Sequence, residues 1–520
     1  MNNHMLIAAL TLTLSTSVVA QNGNGAKHLN GSHYNAAQRS YHQARKVLDD
    51  GVEAMGGLEA LRAIKDFTLK EKGKVYGLYQ SAKPEAPFAI GPSEETLIVD
   101  LNRGYVFDEL KTANAGFNTW VTTVIKGTDG QTYDMWSKTV TPIANPSVNN
   151  FRGQIRRLPS FVLLEAVDRA STLRWVGEDE IDGKKQRVIS VLRPDNQLLS
   201  LSFDAQTNLL TKYGYLYADP IVGDSEIAQT YSGYHTVGKV KVPGGRVLYN
   251  SGAVTQEAEY VDITFNTSPA ESLFDGPKSF AKLATPPATP APPAVTKVAD
   301  DVYFLQGLNG GTHNVLFVAF NDYVLVVEAP EQVIYGSNSV QALAKIKETV
   351  PGKPIKYLVL THHHSDHSGG FREYAAQGAT IITTPGNKAL IEKAAEVQSS
   401  MLPSTAWFDT KTLMIEAVEK KRVFQDDKHI VELYDVGPNP HANQILVAYL
   451  PKQKILFQGD LFNSAPNGTI PIAQDVTVSF GEQLQKLGLQ VEKIYGVHSR
   501  AATPEELRSA IEKRRASELK

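Results

Sequence analysis

The sequence predicts two domains of different fold class, a mainly antiparallel β (α+β) domain followed by an α/β domain. Three observations predict this division. Residues 67–265 consist mostly of strand-like runs separated by short turns, which is typical of an antiparallel meander. Residues 297–520 alternate short apolar runs with helical segments, which is typical of layered α/β folds. Between these regions, residues 285–296 contain five prolines, which favour an extended spacer.

The first 20 residues have the pattern of a secretory signal peptide. An apolar stretch from Met5 onwards ends in Val18, Val19 and Ala20, so cleavage is expected before Gln21. The stretch is shorter than the roughly 20 residues that span a membrane, and the chain has no cysteine that could carry a lipid anchor. We therefore expect a periplasmic or secreted bacterial protein without a stable membrane anchor.

The overall composition excludes several classes of function. The net charge of −3 provides no basic surface for nucleic acid. The absence of cysteine from all 520 residues excludes disulfides, thiolate metal ligands and a cysteine nucleophile. Any metal site must therefore use His, Asp, Glu or main-chain groups.

The N-terminal domain is predicted to span residues 21–282, before a linker at 283–296. Residues 35–66 are expected to be helical, with an apolar face formed by Leu48, Met55, Leu58 and Leu61. Asp182-Gly183 lies between two strand-like runs and predicts a tight hairpin. Residues 21–280 show no pattern typical of a catalytic site.

The densest group of chemically active residues follows the strand-like run IKYLVL. Residues 361–370 read THHHSDHSGG. His362 and His364 are two residues apart and can converge on one ion from a tight turn, whereas Asp366 and His367 can face a neighbouring ion. Imidazole and carboxylate ligands suit zinc, and also iron or manganese.

Further candidate ligands follow three later strand-like runs. His441 comes after IVELYDV, Asp460 after KILFQG and His498 after KIYGV. Side chains that follow directly after strands are held on a rigid scaffold. The repeated order of strand and then ligand therefore predicts a metal centre at one edge of a layered sheet.

This order of residues, HxHxDH followed by a His, an Asp and a final His, resembles the metallo-β-lactamase superfamily over roughly residues 297–520. The resemblance implies an αββα sandwich with two metal ions. It implies that His362, His364 and His441 bind the first ion, that Asp366, His367 and His498 bind the second, and that Asp460 bridges them. The bridging aspartate resembles the glyoxalase-type branch of the superfamily, which the absence of cysteine also favours.

Four other residues near these motifs receive subordinate roles. His363 is expected to point away from the metal ions, and His429 is expected on the surface. His313 is expected to form hydrogen bonds at a strand end in preference to lining the pocket. Glu328 is expected to support the metal-binding loop without taking part in the chemistry.

The N-terminal domain carries a second resemblance. The segment GLEALRAIKDFTLKEKGKVYG and the strands after it resemble N-terminal regions of some secreted metallo-β-lactamase-like proteins and the curved sheets of lipoprotein carriers. The size and the strand pattern of this sheet predict an apolar face that suits a lipid-like or polymeric substrate.

The predicted function is a dinuclear metal-dependent hydrolase acting on an ester, lactone, amide or related bond of a small-molecule or lipid-like substrate. Two divalent ions, Zn²⁺ before Fe or Mn, lower the pKa of a shared water from about 15.7 towards 7. A bridging hydroxide would then attack the substrate, and Asp366 would orient it as well as bind metal.

Three alternatives remain open. A β-lactamase is one, although Asn463 occupies the position where one lactamase subgroup has a lysine that holds the substrate carboxylate. A mononuclear iron oxygenase would need only His362, His364 and His441. A non-enzymatic carrier would bind an apolar ligand in the N-terminal domain.

Overall fold

The computed structural model describes residues 34–144, 151–285, 291–331, 338–397, 399–401, 409–465 and 468–518. The predicted signal peptide lies outside the described residues, and so does the central part of the predicted linker, residues 286–290.

The N-terminal helices pack on one face of a large sheet. They are α1 (Ala36–Ala54), α2 (Leu58–Arg62), α3 (Arg152–Ile155) and α4 (Pro159–Asp168). Asn35 begins α1 with a capping box, in which its side chain accepts from the Gln38 N–H and the Gln38 side chain accepts from the Asn35 N–H.

The predicted helical region is therefore divided in two. Gly56 and Gly57 have φ angles of 120° and 87° and separate α1 from α2. Leu48, Met55 and Leu61 are buried as predicted, but Leu58 is 37% exposed. The prediction for Leu58 was wrong because the glycines end the first helix and restart the second at a different angular position.

The N-terminal domain contains fourteen strands in one sheet among the described residues, in the order β16-β6-β5-β4-β3-β2-β1-β15-β14-β11-β10-β9-β8-β7. All neighbours pair antiparallel except β16, which is parallel to β6. The strands β12 and β13 form a separate hairpin. The strands of this domain are β1 (Asp66–Tyr76), β2 (Ile90–Asp100), β3 (Tyr105–Asn114), β4 (Phe117–Lys126), β5 (Asp129–Asp134), β6 (Thr139–Pro142), β7 (Arg174–Ile181), β8 (Lys184–Leu192), β9 (Leu198–Asp204), β10 (Leu210–Asp219), β11 (Gly223–Ser232), β12 (His235–Val237), β13 (Val240–Val242), β14 (Gly245–Asn250), β15 (Ala253–Phe265) and β16 (Ala281–Lys282).

The predicted hairpin at Asp182-Gly183 joins β7 to β8. Both residues have positive φ, 49° and 73°, as a two-residue hairpin turn of this kind requires.

The C-terminal domain contains two sheets. The first has the order β17-β18-β19-β20-β21-β22-β23 and the second the order β24-β25-β26-β27-β28-β29. Their strands are β17 (Ala294–Ala299), β18 (Val302–Gly307), β19 (His313–Ala319), β20 (Val324–Val327), β21 (Ile355–Val359), β22 (Thr380–Thr383), β23 (Ile415–Ala417), β24 (Lys421–Gln425), β25 (Ile430–Asp435), β26 (Leu446–Leu450), β27 (Ile455–Gln458), β28 (Lys493–Gly496) and β29 (Ser499–Ala502).

The two sheets pack face to face between layers of helices. One apolar cluster joins residues of both sheets, including Phe304 and Leu316 from the first and Leu433 and Phe457 from the second. A second cluster joins the outer face of the first sheet to helices α6 and α8, and a third joins the second sheet to α10 and α11. The helices of this domain are α5 (Leu308–Gly311), α6 (Asn338–Thr349), α7 (Ser365–Ser368), α8 (Phe371–Ala375), α9 (Pro385–Glu396), α10 (Asp475–Leu487) and α11 (Pro504–Glu518). The predicted αββα sandwich is confirmed.

Two further observations concern the organisation of the chain. Strand β17 begins at Ala294, inside the segment predicted to be a linker. Among the described helices, none combines the length and the apolar composition that crossing a bilayer requires.

Candidate metal centre

Four strand ends of the sandwich bring the candidate ligands to one edge. The loop after β21 carries His362, His364, Asp366 and His367, and the connection between β25 and β26 carries His441. Asp460 follows β27, and His498 lies in the turn between β28 and β29. The Leu446 N–H donates to the Thr361 carbonyl at 2.8 Å, which ties the two sheets together beside the site.

The first group contains His362, His364, His441 and Asp460, all buried, and one ligand atom of each lies within 4.8 Å of the others. The Nε2 atoms of His441 and His362 are 3.2 Å apart. His441 Nε2 also lies 3.0 Å from Asp460 Oδ2. These are the residues that the sequence assigned to the first metal ion and the bridge.

The second group contains His367, His498 and the same Asp460. His367 Nε2 lies 3.0 Å from Asp460 Oδ2 and 3.2 Å from His498 Nε2. His498 Nε2 is 3.1 Å from the other carboxylate oxygen, Oδ1. Asp460 therefore lies between the two groups, where a bridging carboxylate would have to be.

Asp366 meets the second group through one oxygen. Its Oδ2 lies 3.5 Å from His498 Nε2 and 3.6 Å from His367 Nε2. All seven residues chosen from the sequence thus lie at one place, and their binding of metal ions remains a prediction.

His313 lies closer to the candidate ligands than its place at a strand end indicates. This residue forms a third group with Asp366 and His498, and its Nε2 lies 3.6 Å from Asp366 Oδ2. Its Nδ1 is within hydrogen-bonding distance of Thr312 Oγ1 and Asn309 Nδ2. His313 therefore makes the expected strand-end hydrogen bonds and also faces the candidate second metal site.

Glu328 has the supporting role that the sequence suggested. Its side chain is fully buried. Oε1 accepts from the Thr361 N–H at 3.2 Å, and Oε2 lies 3.0 Å from His367 Nδ1. A carboxylate on Nδ1 leaves Nε2 of His367 directed at the site, a common arrangement behind metal-binding histidines.

Two other histidines of the C-terminal domain are buried. His363 is 1% exposed and belongs to none of the three groups, which agrees with its expected orientation. His429 was expected on the surface, but it is only 3% exposed. That prediction was wrong because the ring packs edge-on against Phe320, with Nε2 3.3 Å from the Asp300 carbonyl.

The electrostatics of the two groups differ. Burial lowers the pKa of His362 and His364 well below that of a free imidazole, so both are neutral and present a lone pair. Burial also tends to lower the pKa of His498, but the carboxylates of Asp460 and Asp366 raise this pKa to about 9. Burial alone would raise the pKa of Asp460, yet His367 and His498 hold it well below its usual range.

The donor set fits divalent metal ions. Neutral imidazoles and ionised carboxylates are the ligands that zinc and related ions take in proteins. His364 Nδ1 is buried and has no hydrogen-bond partner among the described residues, although an unpaired buried polar atom is costly. A metal ion held by Nδ1 would satisfy it.

Residues of the N-terminal domain form part of the cleft over the site. The cleft has a volume of about 280 Å³ and is lined by Gln80, Asn114, Ala115, Phe117, His441, Asp460, Asn463 and His498. The first four of these residues were not predicted from the sequence. The only local signal was the turn Asn114-Ala115-Gly116 between two strand-like runs, which predicts a hairpin but not what the hairpin touches.

The comparisons with known proteins agree with this fold. Residues 310–498 match the family model of the metallo-β-lactamase superfamily. No curated protein is significantly similar to the chain.

Three solved structures align with part of the chain. A metallo-β-lactamase from Pontibacter korlensis is 19% identical, with 43% of this chain and 99% of that chain covered and a TM-score of 0.33. The metallo-β-lactamase FIM-1 from Pseudomonas aeruginosa in its mono-zinc form is 17% identical, with coverages of 45% and 99% and a TM-score of 0.32. A metallo-β-lactamase from Hirschia baltica is 18% identical, with coverages of 42% and 96% and a TM-score of 0.33.

The match to the family model includes all seven candidate ligands, and its last residue is His498. Residues 310–498, which form most of the αββα sandwich, are similar to the metallo-β-lactamase superfamily.

Proposed function

We propose that this protein is a dinuclear metal-dependent hydrolase that cleaves an ester, lactone, amide or related bond. The observation that carries the proposal is the position of Asp460. One of its carboxylate oxygens faces His441 and His367, and the other faces His498. This geometry suits a carboxylate shared by two ions.

The two groups of ligands divide the chemistry between them. When bound, a pair of divalent ions, with Zn²⁺ favoured by the nitrogen and oxygen donors, would activate a water molecule and polarise the bond to be cleaved. His362, His364 and His441 would hold one side of the site, and His367 and His498 the other. Asp366 Oδ2 faces the second group, from where it can accept a proton and orient the attacking water.

The cleft favours a substrate without a carboxylate. Besides the ligand residues, its lining consists of the amides Gln80, Asn114 and Asn463, the methyl group of Ala115 and the ring of Phe117. Neither lysine nor arginine is among the described residues that line it. A carboxylate that lies away from the proposed metal ions would find no lysine or arginine to pair with in this lining, so a small neutral ester or lactone suits the cleft better than a carboxylate-bearing β-lactam.

The proposed location is the periplasm or the medium. It rests on the apolar segment up to Ala20 and the small residues before Gln21. Mass spectrometry of the mature N-terminus after expression in a Gram-negative host tests it, because an N-terminus at Met1 would contradict export by cleavage.

The first experiment measures bound metal in residues 21–520 by inductively coupled plasma mass spectrometry. We expect about two zinc ions per chain, falling towards one in His498→Ala. His235→Ala is the matched control, because His235 is exposed on β12, away from the site. One iron per chain that does not depend on His498 would contradict the hydrolase and favour the oxygenase.

The second experiment compares neutral lactones and esters with carboxylate-bearing β-lactams as substrates. We expect hydrolysis of the neutral compounds by the wild-type protein. Asn463→Lys places a cation in the cleft and should lower the KM for carboxylate-bearing substrates. Faster hydrolysis of β-lactams than of every neutral compound by the wild-type protein would contradict the proposed substrate class.

A further inference from the structure

Two loops of the N-terminal domain reach the candidate ligands. One follows β1 and contains Gln80 and Ser81, and the other is the tip of the β3–β4 hairpin, residues 114–117. Gln80 contacts Asp366, which lies 286 positions later in the sequence. Ala115 contacts His441, which lies 326 positions later.

We propose that the N-terminal domain is an integral part of the metal centre. Gln80 is the positioning residue of Asp366. The main-chain carbonyl of Ser81 positions His364, and that of Ala115 positions His441. This inference rests on the metal-binding part of the proposed function and is independent of the substrate.

The first contact selects the tautomer of His364. Its Nε2 lies 3.0 Å from the Ser81 carbonyl oxygen, and both groups are buried. A carbonyl oxygen can only accept, so Nε2 must carry the proton and donate it. The lone pair then lies on Nδ1, the buried nitrogen without a hydrogen-bond partner among the described residues. The N-terminal domain thus leaves Nδ1 free to bind a metal ion.

The second contact has the same effect on His441. Its Nδ1 lies 3.3 Å from the Ala115 carbonyl oxygen, which directs the Nε2 lone pair to His362 and Asp460. The ring of Phe117 packs edge-on against the imidazole, with 5.2 Å between ring centroids, and restricts its rotation.

The third contact orients Asp366. Gln80 Nε2 donates to Asp366 Oδ1 at 2.8 Å. Oδ2 is then the oxygen that faces His498 and His313. Gln80 therefore acts on the second ligand group, whereas Ser81, the next residue, acts on the first.

The loops are fixed by contacts of their own. Ser81 Oγ donates to the Gly77 carbonyl at 2.7 Å and accepts from the Ala89 N–H at 2.6 Å, which closes the first loop. The Asn443 N–H donates to the Ala82 carbonyl at 2.6 Å. The Gln474 side chain bonds both the N–H and the carbonyl of Asn118 beside the hairpin tip. The loops are therefore held by contacts that do not involve the side chains of the candidate ligands.

The test is a stepwise zinc titration of the full mature chain in competition with a chromophoric chelator. His498→Ala identifies the step that belongs to the second ion. Gln80→Leu keeps the approximate size of the side chain and removes the donor, and Gln206→Leu is the control because Gln206 is exposed in the turn between β9 and β10. Loss of such a partner typically weakens metal binding by about 10–100-fold.

We expect Gln80→Leu to weaken the second step at least about tenfold and to leave the first step and the thermal midpoint of the metal-free protein unchanged. Ser81→Ala should weaken the first step, because opening the loop withdraws the carbonyl from His364. It should also weaken the second step, because Gln80 lies in the same loop. A general loss of structure would in addition lower the thermal midpoint of the metal-free protein.

Equal affinities in Gln80→Leu and the wild-type protein would overturn the assignment of Gln80, and so would parallel weakening of both steps. A wild-type protein that binds one ion only would instead contradict the dinuclear proposal. In that case Ser81→Ala still tests the inference at the first site, where unchanged affinity would overturn it.

Discussion

Glu328 is a buried residue with an unusual backbone conformation beside the metal centre. Its φ of 86° lies in a region that residues with a side chain rarely adopt. Such conformations persist only where the surrounding contacts enforce them. Here the enforcing contacts are those of the carboxylate with the Thr361 N–H and with His367 Nδ1.

Glu328→Gln should weaken both the fold and the second metal site. An amide has only one accepting oxygen, so its NH₂ group would face either the Thr361 N–H or the His367 Nδ1–H. Two donors would then face each other, and one of them would have no acceptor. A buried donor without an acceptor costs about 1–3 kcal/mol. We expect a lower thermal midpoint in the metal-free protein and a weaker second zinc step. Unchanged values of both would show that His367 is oriented by other contacts.

The carboxyl group of Asp108 belongs to a cluster of acids and arginines in the interior of the N-terminal domain. Glu71 is paired with Arg246 and Arg157, at 2.9 and 3.2 Å, and Arg157 also pairs with Glu95. Asp108 is the third acid beside these two cations. Burial and the neighbouring Glu95 raise the pKa of Asp108 to about 8, so the folded protein keeps this carboxyl protonated at neutral pH.

Asp108 should make stability depend on pH. The folded-state pKa is raised above the unfolded value of about 3.9, so the unfolded chain releases this proton first. The contribution of the Asp108 carboxyl to the free energy of unfolding is therefore present at low pH and is lost as the pH rises towards about 8. Asp108→Asn cannot ionise, and its stability relative to the wild-type protein should rise between pH 5 and pH 8 by roughly 3–4 kcal/mol. Urea unfolding at both pH values measures this, and parallel profiles would contradict it.

At the scale of elements, the β3–β4 hairpin has the closest fit to the C-terminal domain. Ala115 and Gly116 form its two-residue turn, with φ angles of 49° and 80°. A Cβ atom on Gly116 would lie 2.8 Å from Pro440 Cβ, next to the ligand His441. The glycine is thus required both by its backbone conformation and by the approach of the hairpin to the ligand loop.

Gly116→Ala should therefore weaken the first metal step, because the hairpin must move away from Pro440 and take the Ala115 carbonyl with it. Gly127→Ala is a matched control. Gly127 lies in the next hairpin turn, with φ 62°, and an added Cβ would meet no atom within 4 Å. Both variants incur a backbone penalty of about 1–2 kcal/mol, but only Gly116→Ala should lower the zinc affinity. Equal affinities in the two variants would argue against the carbonyl contact.

The elements also show what a local sequence pattern can predict. The candidate ligands of the C-terminal domain each come after a strand, so strand-like runs and residue type were enough to select seven residues that the structure brings together. The helix over residues 35–66 was predicted as continuous because an apolar spacing does not reveal that Gly56 and Gly57 take positive φ angles. His429 lies in a polar turn, and its burial against Phe320 depends on a distant strand.

At the scale of the whole molecule, the contacts between the domains were beyond the reach of the sequence. Ser81 and Ala115 act through main-chain carbonyls, which every residue has, and Gln80 contacts a carboxylate 286 residues later in the chain. Neither periodicity nor motif spacing carries information about such pairs. The candidate metal centre is therefore predictable as a set of residues, but its outer contacts depend on how the two domains pack.

These contacts predict that the metal ions stabilise both domains. Ligand at 1,000 times its Kd stabilises a folded state by about 4.1 kcal/mol. Three of the four tryptophans, Trp120, Trp136 and Trp175, lie in the N-terminal domain, so Trp407→Phe restricts the fluorescence signal to that domain. We expect a chelator to lower the thermal midpoint of this signal by roughly 5 °C or more, together with the midpoint from far-ultraviolet circular dichroism. If the chelator lowers only the circular dichroism midpoint, the domains unfold independently, and the loops at Ser81 and Ala115 do not couple the N-terminal sheet to the metal site.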